Sequence, residues 1–271
     1  MNLHKYRRPL TTALFALVSQ AWFAAPGLAQ VPDSILNEDP SAVTAAPIPD
    51  RIEGINRVVF KFNNGFYRVA WRPLSQGYAA VVPRVARKGI GNFFHNLAYP
   101  TRLVGNLFEG HGGGALKETG RFLINTTVGV GGFLAVADKM PSLKVPESDL
   151  GQAFAVWGVG HGTYVVLPII GPSSLRDGIG DGLSGVFLAP AQYLNNWEYR
   201  TGAVALEAVN QSPDAMHTYD TLHGAAVDPY VALRDAFSAR RAQQVREQMA
   251  PYGRTLITPR RGANGPPRDN P

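Results

Sequence analysis

Reactive side chains are sparse in this 271-residue chain, and the spacing of those present argues against several chemistries. The six histidines, His4, His95, His111, His161, His217 and His223, form no H-E-x-x-H pair, and His217 and His223 stand too far apart for adjacent helical turns. A metal centre is therefore not expected. Cysteine is absent, which removes disulfides, thiolate ligands and cysteine nucleophiles. Gly171, Pro172, Ser173, Ser174 and Leu175 lack the final glycine of a nucleophile elbow, and neither serine falls between a clear strand and helix, so a serine hydrolase is a minor alternative. Gly158-Val159-Gly160 and Gly178-Ile179-Gly180 open like dinucleotide fingerprints, yet Thr163 and Leu183 stand where the third glycine belongs. They read as flexibility, and no cofactor is expected. Arg57, Arg121 and Arg176 with Glu53, Asp177 and Asp181 could form a group with tuned pKa values, although charges beside helix ends usually cap and pair.

Two stretches would have to position these charges. In residues 151–181, Leu150, Phe154 and Trp157 recur at spacings of four and three, one face of a short helix ended by Gly158. Gly160 and Gly162 then free the backbone. The apolar run 164–170 contains Pro168, which argues for an edge or irregular segment. Ser173 can cap a new helix whose first turns carry Arg176, Asp177 and Asp181. Apolar flanks, a flexible middle and charges at one end suit a wall between hydrocarbon and water; a glycine-rich loop beneath a soluble core fits the same pattern.

The second stretch begins at Asp50, which with Glu53 makes a capping-box-like start. Ile52, Ile55, Val59, Phe62 and Phe66 follow at spacings of 3, 4, 3 and 4, the clearest amphipathic helix in the chain. Val58, Phe60 and Tyr67 lie off that stripe, beside Asn56, Arg57, Asn63 and Asn64. A helix apolar over most of its girth is buried in a bundle or embedded in a membrane.

Around these stretches the chain divides into an export leader (1–29), a Pro-rich linker (30–49), a helical domain (50–250) and a basic tail (251–271). Lys5, Arg7 and Arg8 precede an apolar segment, and Gly27 and Ala29 are the small residues a signal peptidase needs. Of the formal +6, the leader accounts for three charges; the seven arginines from Arg240 onward, against Glu247 and Asp269, make the remaining basic character a property of the C-terminal end. An exported chain without an aromatic and basic face is not expected to bind nucleic acid. Pro73, Pro83 and repeated glycines break the interior into many short helices, among them 115–127, before Gly129, Gly131 and Gly132 interrupt. Asp228 and Pro229 are the N-cap and first turn of a last helix. Only 17% of the chain is charged against a usual share of about 25%, while 45% is hydrophobic.

DRIEGINRVVFKFNN (50–64), GIGNFFHNLAYPTRLVGNLFEG (89–110), GRFLINTTVGVGGFLAVA (120–137), GVGHGTYVVLPIIGPSSLRDGIGD (158–181) and DPYVALRDAF (228–237) together resemble the successive motifs of the MlaA (VacJ) family. The resemblance implies a mainly α, ring-shaped assembly of short amphipathic helices lying in one leaflet of a Gram-negative outer membrane, with a central channel. It implies a transporter and not an enzyme: misplaced phospholipid leaves the outer leaflet through an amphipathic channel and passes to a periplasmic lipid carrier of the MlaC type, with trimeric porins as partners. A structural scaffold for porins is the alternative. The family is usually lipidated, whereas Gln30 stands where the lipobox cysteine would be, so acyl anchoring is excluded and the helices themselves are expected to hold the membrane. On that reading Asn56, Arg57, Asn63, Arg176, Asp177 and Asp181 are expected to face the lumen. Ile52, Ile55, Val59, Phe62 and Phe66 are expected to form the wall, and Gly129, Gly131, Gly158, Gly160 and Gly162 a hinge or close backbone passage.

Overall fold

The spacing of Ile52 to Phe66 gives the first helix of the computed structural model, which describes residues 48–194 and 196–250. The expected leader, most of the linker and the basic tail lie outside the described residues. Helix α1 runs Glu53–Phe66, and its N-cap is Ile52, without a side-chain cap. Asp50 has other partners than a capping box would give it: it accepts hydrogen bonds from Asn56 Nδ2 at 2.8 Å and from the Tyr230 hydroxyl. Pro73 does not break the chain, contrary to expectation. Tyr67–Trp71 widen into a π-helical turn and α2, Arg72–Val81, follows directly. The wider turn removes the clash between the proline ring and the carbonyl four residues back. Pro83 does end the helix, with Val82 extended before it.

Helices α3 (Arg84–Leu97), α4 (Tyr99–Phe108), α5 (Gly112–Thr127) and α6 (Leu150–Val156) follow. Asp149 caps α6 by accepting from the Gln152 amide at 2.7 Å. Of the edge or irregular segment expected here, the structure has the edge: an antiparallel hairpin, β1 (Tyr164–Leu167) and β2 (Gly171–Ser174), with Tyr164 opposite Ser174 and Leu167 opposite Gly171. Pro168 falls in its turn, where its missing N–H leaves no gap in the ladder. Helix α7 (Leu175–Phe187) is capped by Ser174 and not by Ser173, which stays in the strand. The last helices are long: α8 (Trp197–Ala225) has 29 residues and α9 (Pro229–Met249) has 21, the latter capped by Asp228 as its sequence indicates. None of the described helices is long and apolar enough to cross a membrane.

Asn56 and Asn63 bind α1 to the hairpin. Asn56 donates to the Tyr164 carbonyl at 3.0 Å and accepts from the Val166 amide at 2.9 Å. Asn63 repeats the pattern with the Leu167 carbonyl (2.9 Å) and the Ile169 amide (2.7 Å). Seven residues of helix rise about 10 Å and three of strand about 10 Å, so one helix face keeps register with the strand. The asparagine amides replace the neighbouring strand that β1 lacks on this edge.

The distribution of polarity is inverted. Among the described residues, 21 polar or charged side chains are buried against 19 apolar ones, while 30 large apolar side chains are exposed. A small apolar cluster of Ile48, Tyr164, Val166, Tyr230 and Phe237 joins the hairpin to α9, with Val59 and Phe60 packed on it. Several helices, α1, α5 and α7 among them, turn apolar side chains outward. Leu175, Ile179, Leu183 and Val186 on α7 are exposed, whereas Arg176, Asp177 and Gly180 of the same helix are buried. Packing closes on itself: α3 contacts α4, α4 contacts α6, α6 contacts α9, α9 contacts α8 and α8 returns to α3.

Candidate functional site, a charged cavity

The closed circuit surrounds a cavity of about 790 Å³, walled by α3 to α9 and the hairpin. Seven arginine or lysine side chains and seven aspartate or glutamate side chains contribute to its wall. Equal numbers of both signs suit a polar or zwitterionic ligand better than one of single charge.

Part of this charge is structural. Asp177, at the first turn of α7, is buried and accepts from Arg241 Nη2 at 2.8 Å, from Arg176 Nε at 3.0 Å and Nη2 at 2.8 Å, and from the Ser174 hydroxyl at 2.8 Å. Burial opposes its ionisation, but Arg241, His161 and Arg176 overcome that and hold the carboxyl far below the usual range. Arg241 also reaches Asp149 at 2.8 and 3.2 Å, so one guanidinium joins α9 to the N-termini of both α6 and α7. Burial disfavours its charge, yet Asp149 and Asp177 leave it more basic than a free arginine. The helices cross closely enough for this because Gly180 meets Gly151: a Cβ on Gly180 would come within 2.4 Å of the Gly151 nitrogen.

Opposite, Arg102 donates to Glu118 Oε2 at 3.0 Å and to the His95 carbonyl at 2.7 Å, and Arg121 donates to Asp138 at 2.7 Å. Burial, reinforced by Arg102, lowers the His95 imidazole to about 4, so it is neutral at physiological pH. Asp181 faces the same cavity and keeps some accessible surface there; burial, with the Asp149 charge added, raises its carboxyl well above the ordinary range.

The structure separates the residues expected to share the lumen. Asp177 and Asp181 line the cavity, and Arg176 lies behind Asp177, reaching the Val159 carbonyl at 3.4 Å. Asn56 and Asn63 are instead turned to the hairpin edge, where unpaired backbone groups claim their amides. Arg57 is also outside the cavity wall, paired with Glu53 (2.7 Å) and Asp228 (2.9 Å) and lying 4.4 Å from the centre of the Tyr230 ring. Arg57, Arg121 and Arg176 thus serve three different ion pairs and form no common site. Of the expected wall, Ile55 and Phe62 are 63% and 55% exposed, whereas Ile52, Val59 and Phe66 are half-buried. Gly131, Gly158 and Gly162 have positive φ; Gly129 is packed against the Leu134 and Asn125 carbonyls, and Gly160 stands in open space. Ser174 is engaged as a cap, donating to Asp177 Oδ2 and accepting from the Asp177 amide at 3.1 Å.

Several cavity residues went unnoticed in the sequence. Arg84, Arg87 and Lys88 line the cavity from α3, and their spacing of three and four residues marks one helical face. Arg240 and Arg241, counted with the basic tail, belong to α9 and are buried in the cavity wall. Their position one turn after Phe237, in phase with Leu233, was the available signal.

The model of one family, MlaA lipoprotein, matches residues 48–244. The chain belongs to the MlaA family. Among MlaA relatives, it is 33% identical to the intermembrane phospholipid transport system lipoprotein MlaA of Escherichia coli (strain K12), over 70% of this chain and 76% of the other. It is 32% identical to an uncharacterised protein of Rickettsia felis, over 72% of this chain and 78% of the other. A solved structure concerned with the structural basis for maintenance of bacterial outer membrane lipid asymmetry superposes with a TM-score of 0.63 at 31% identity, covering 72% of this chain and 98% of that one. The MlaA fold is therefore the fold of this chain.

Proposed function

We propose that this MlaA-family chain moves phospholipid between membranes of the cell envelope: it takes misplaced phospholipid from the outer leaflet of the outer membrane, carries the headgroup through the charged cavity and releases the lipid to a periplasmic carrier. The observation that carries this reading is the inverted polarity, an ionic interior enclosed by helices with apolar outer faces. Two acyl chains of about 30 methylenes in all, at about 0.8 kcal/mol each, would cost on the order of 20 kcal/mol to expose to water. Dragging a charged headgroup through hydrocarbon costs several kcal/mol more. A wall with unlike faces avoids both penalties.

The relatives' name supports phospholipid as cargo, and family membership supports a carrier of the MlaC type and a trimeric porin as partners. That name also includes the word lipoprotein, whereas this chain has no cysteine and carries Gln30 after Ala29. Attachment to the membrane is accordingly assigned to the exposed apolar side chains of α1, α5 and α7. The site residues proposed for the path are Asp177 and Asp181, with Arg176 holding Asp177 in place.

Gly182 offers the test. It lines the cavity from α7, and a side chain there would meet nothing within 4 Å. Gly182→Trp should fill the passage without disturbing the helix. Transfer of fluorescent phospholipid from protein-bearing vesicles to a soluble acceptor should fall at least tenfold, with an unchanged circular dichroism spectrum. Undiminished transfer by a folded variant would rule out this cavity as the path and leave the porin scaffold as the better account.

A further inference from the structure

The cavity charges fall into two groups. Arg102, Arg121 and Arg241 are engaged with carboxylates, as described above. Arg84, Arg87 and Lys88 on α3, and Glu207 and Asp214 on α8, also line the cavity, yet none of them makes an ion pair among the described residues. The two sets lie side by side. Asn210 donates to the Arg87 carbonyl at 2.9 Å and accepts from the Tyr78 hydroxyl at 2.7 Å, fixing α8 against α3. Glu207 is one turn before Asn210 and Asp214 one turn after, so the carboxylates bracket the seam. Arg87 Nη1 is buried without a hydrogen-bond partner, a cation placed where water reaches it poorly.

Basic and acidic side chains on adjacent helices that leave each other unpaired form a receptor for a ligand that carries both signs. Resting on the phospholipid reading, we propose that this seam selects phospholipids whose headgroup joins a phosphate to a primary ammonium, the ethanolamine class. The phosphate lies against Arg84, Arg87 and Lys88, where charged donors match its oxygens. The ammonium donates its hydrogens to Glu207 and Asp214. A quaternary ammonium has no N–H to give and is recognised by an aromatic cage; Phe237 is the only Phe, Tyr or Trp among the described residues lining the cavity. An anionic glycerol headgroup satisfies the cations and leaves the carboxylates without a partner.

The test uses the detergent-solubilised full chain equilibrated with equal amounts of phosphatidylethanolamine, phosphatidylglycerol and phosphatidylcholine of identical acyl composition, the bound lipid being counted by native mass spectrometry. The expected result is a preference for phosphatidylethanolamine of about fivefold over each of the others. The double variant Glu207→Gln, Asp214→Asn should abolish that preference while phosphatidylglycerol binding holds. Arg87→Gln with Lys88→Gln should weaken phosphatidylethanolamine and phosphatidylglycerol together, each variant's fold being checked by circular dichroism. Equal binding of all three lipids, or a preference for phosphatidylglycerol or phosphatidylcholine, overturns the proposed selectivity and leaves phospholipid transport standing. Failure to bind any phospholipid overturns both.

Discussion

At the scale of single residues, charge is used in two opposite ways. Arg241 is ringed by carboxylates and serves as a clamp, so its removal leaves Asp177 and Asp149 ionised without their shared partner. Breaking such a buried pair costs about 3–5 kcal/mol. Arg241→Met should lower stability by about that amount in denaturant titrations of the detergent-solubilised protein, and Asp177→Asn combined with it should add little further loss. Glu207 is the contrary case, a carboxyl with only Gln211 bonded to it at 3.2 Å, which burial raises to about 7. The folded protein keeps this proton at pH values where the unfolded chain has released it. Its contribution is therefore intact below the ordinary carboxylate range and is lost as pH rises through about 7. Thermal melts at pH 5 and pH 8 should differ less for Glu207→Gln than for the wild type, by about 1–2 kcal/mol at the higher pH once cavity water is allowed for.

At the scale of elements, the pairing of α1 with the hairpin carries the most information. Asn56→Ala removes three hydrogen bonds and leaves the Val166 amide and Tyr164 carbonyl short of partners. It should cost about 2–3 kcal/mol and speed hydrogen exchange at the Val166 amide, while Arg57→Ala, at the surface, should leave stability nearly unchanged. Helix α1 was legible because the 3 and 4 spacing of its apolar residues survives in any environment. Which of them face outward was not, since Ile55 and Phe62 are exposed whereas Val59 packs inward, and hydrocarbon and protein core demand the same side-chain chemistry. Pro168 marked an edge or irregular segment correctly but left the partner strand unread, because only the fold shows that the proline sits in the turn. The cap at Ser174 was displaced by one residue because two adjacent serines offer the same hydroxyl. Arg240 and Arg241 merged with a tail of similar composition, and only their phase with Phe237 tied them to α9.

For the whole molecule, the inverted polarity separates folding from membrane affinity. Ile179 and Leu183 lie on the outward stripe of α7, 52% and 39% exposed, and belong neither to the apolar cluster nor to the cavity lining. Replacing both with lysine should leave the cavity and its clamps intact while each new charge weakens membrane binding by about 2–3 kcal/mol. Flotation with vesicles should therefore drop more than tenfold for the double variant, with its melting temperature in detergent changed by only a few degrees. The contacts that close the ring also join distant parts of the chain: Asp149 meets Arg241 across 92 residues, and Ile48 meets Ser238 across 190. The helix that closes the circuit is thus among the last parts of the chain to be synthesised. Until it arrives, Asp149 and Asp177 have no Arg241 to share, so the circuit of helices cannot close before synthesis of the chain is nearly complete.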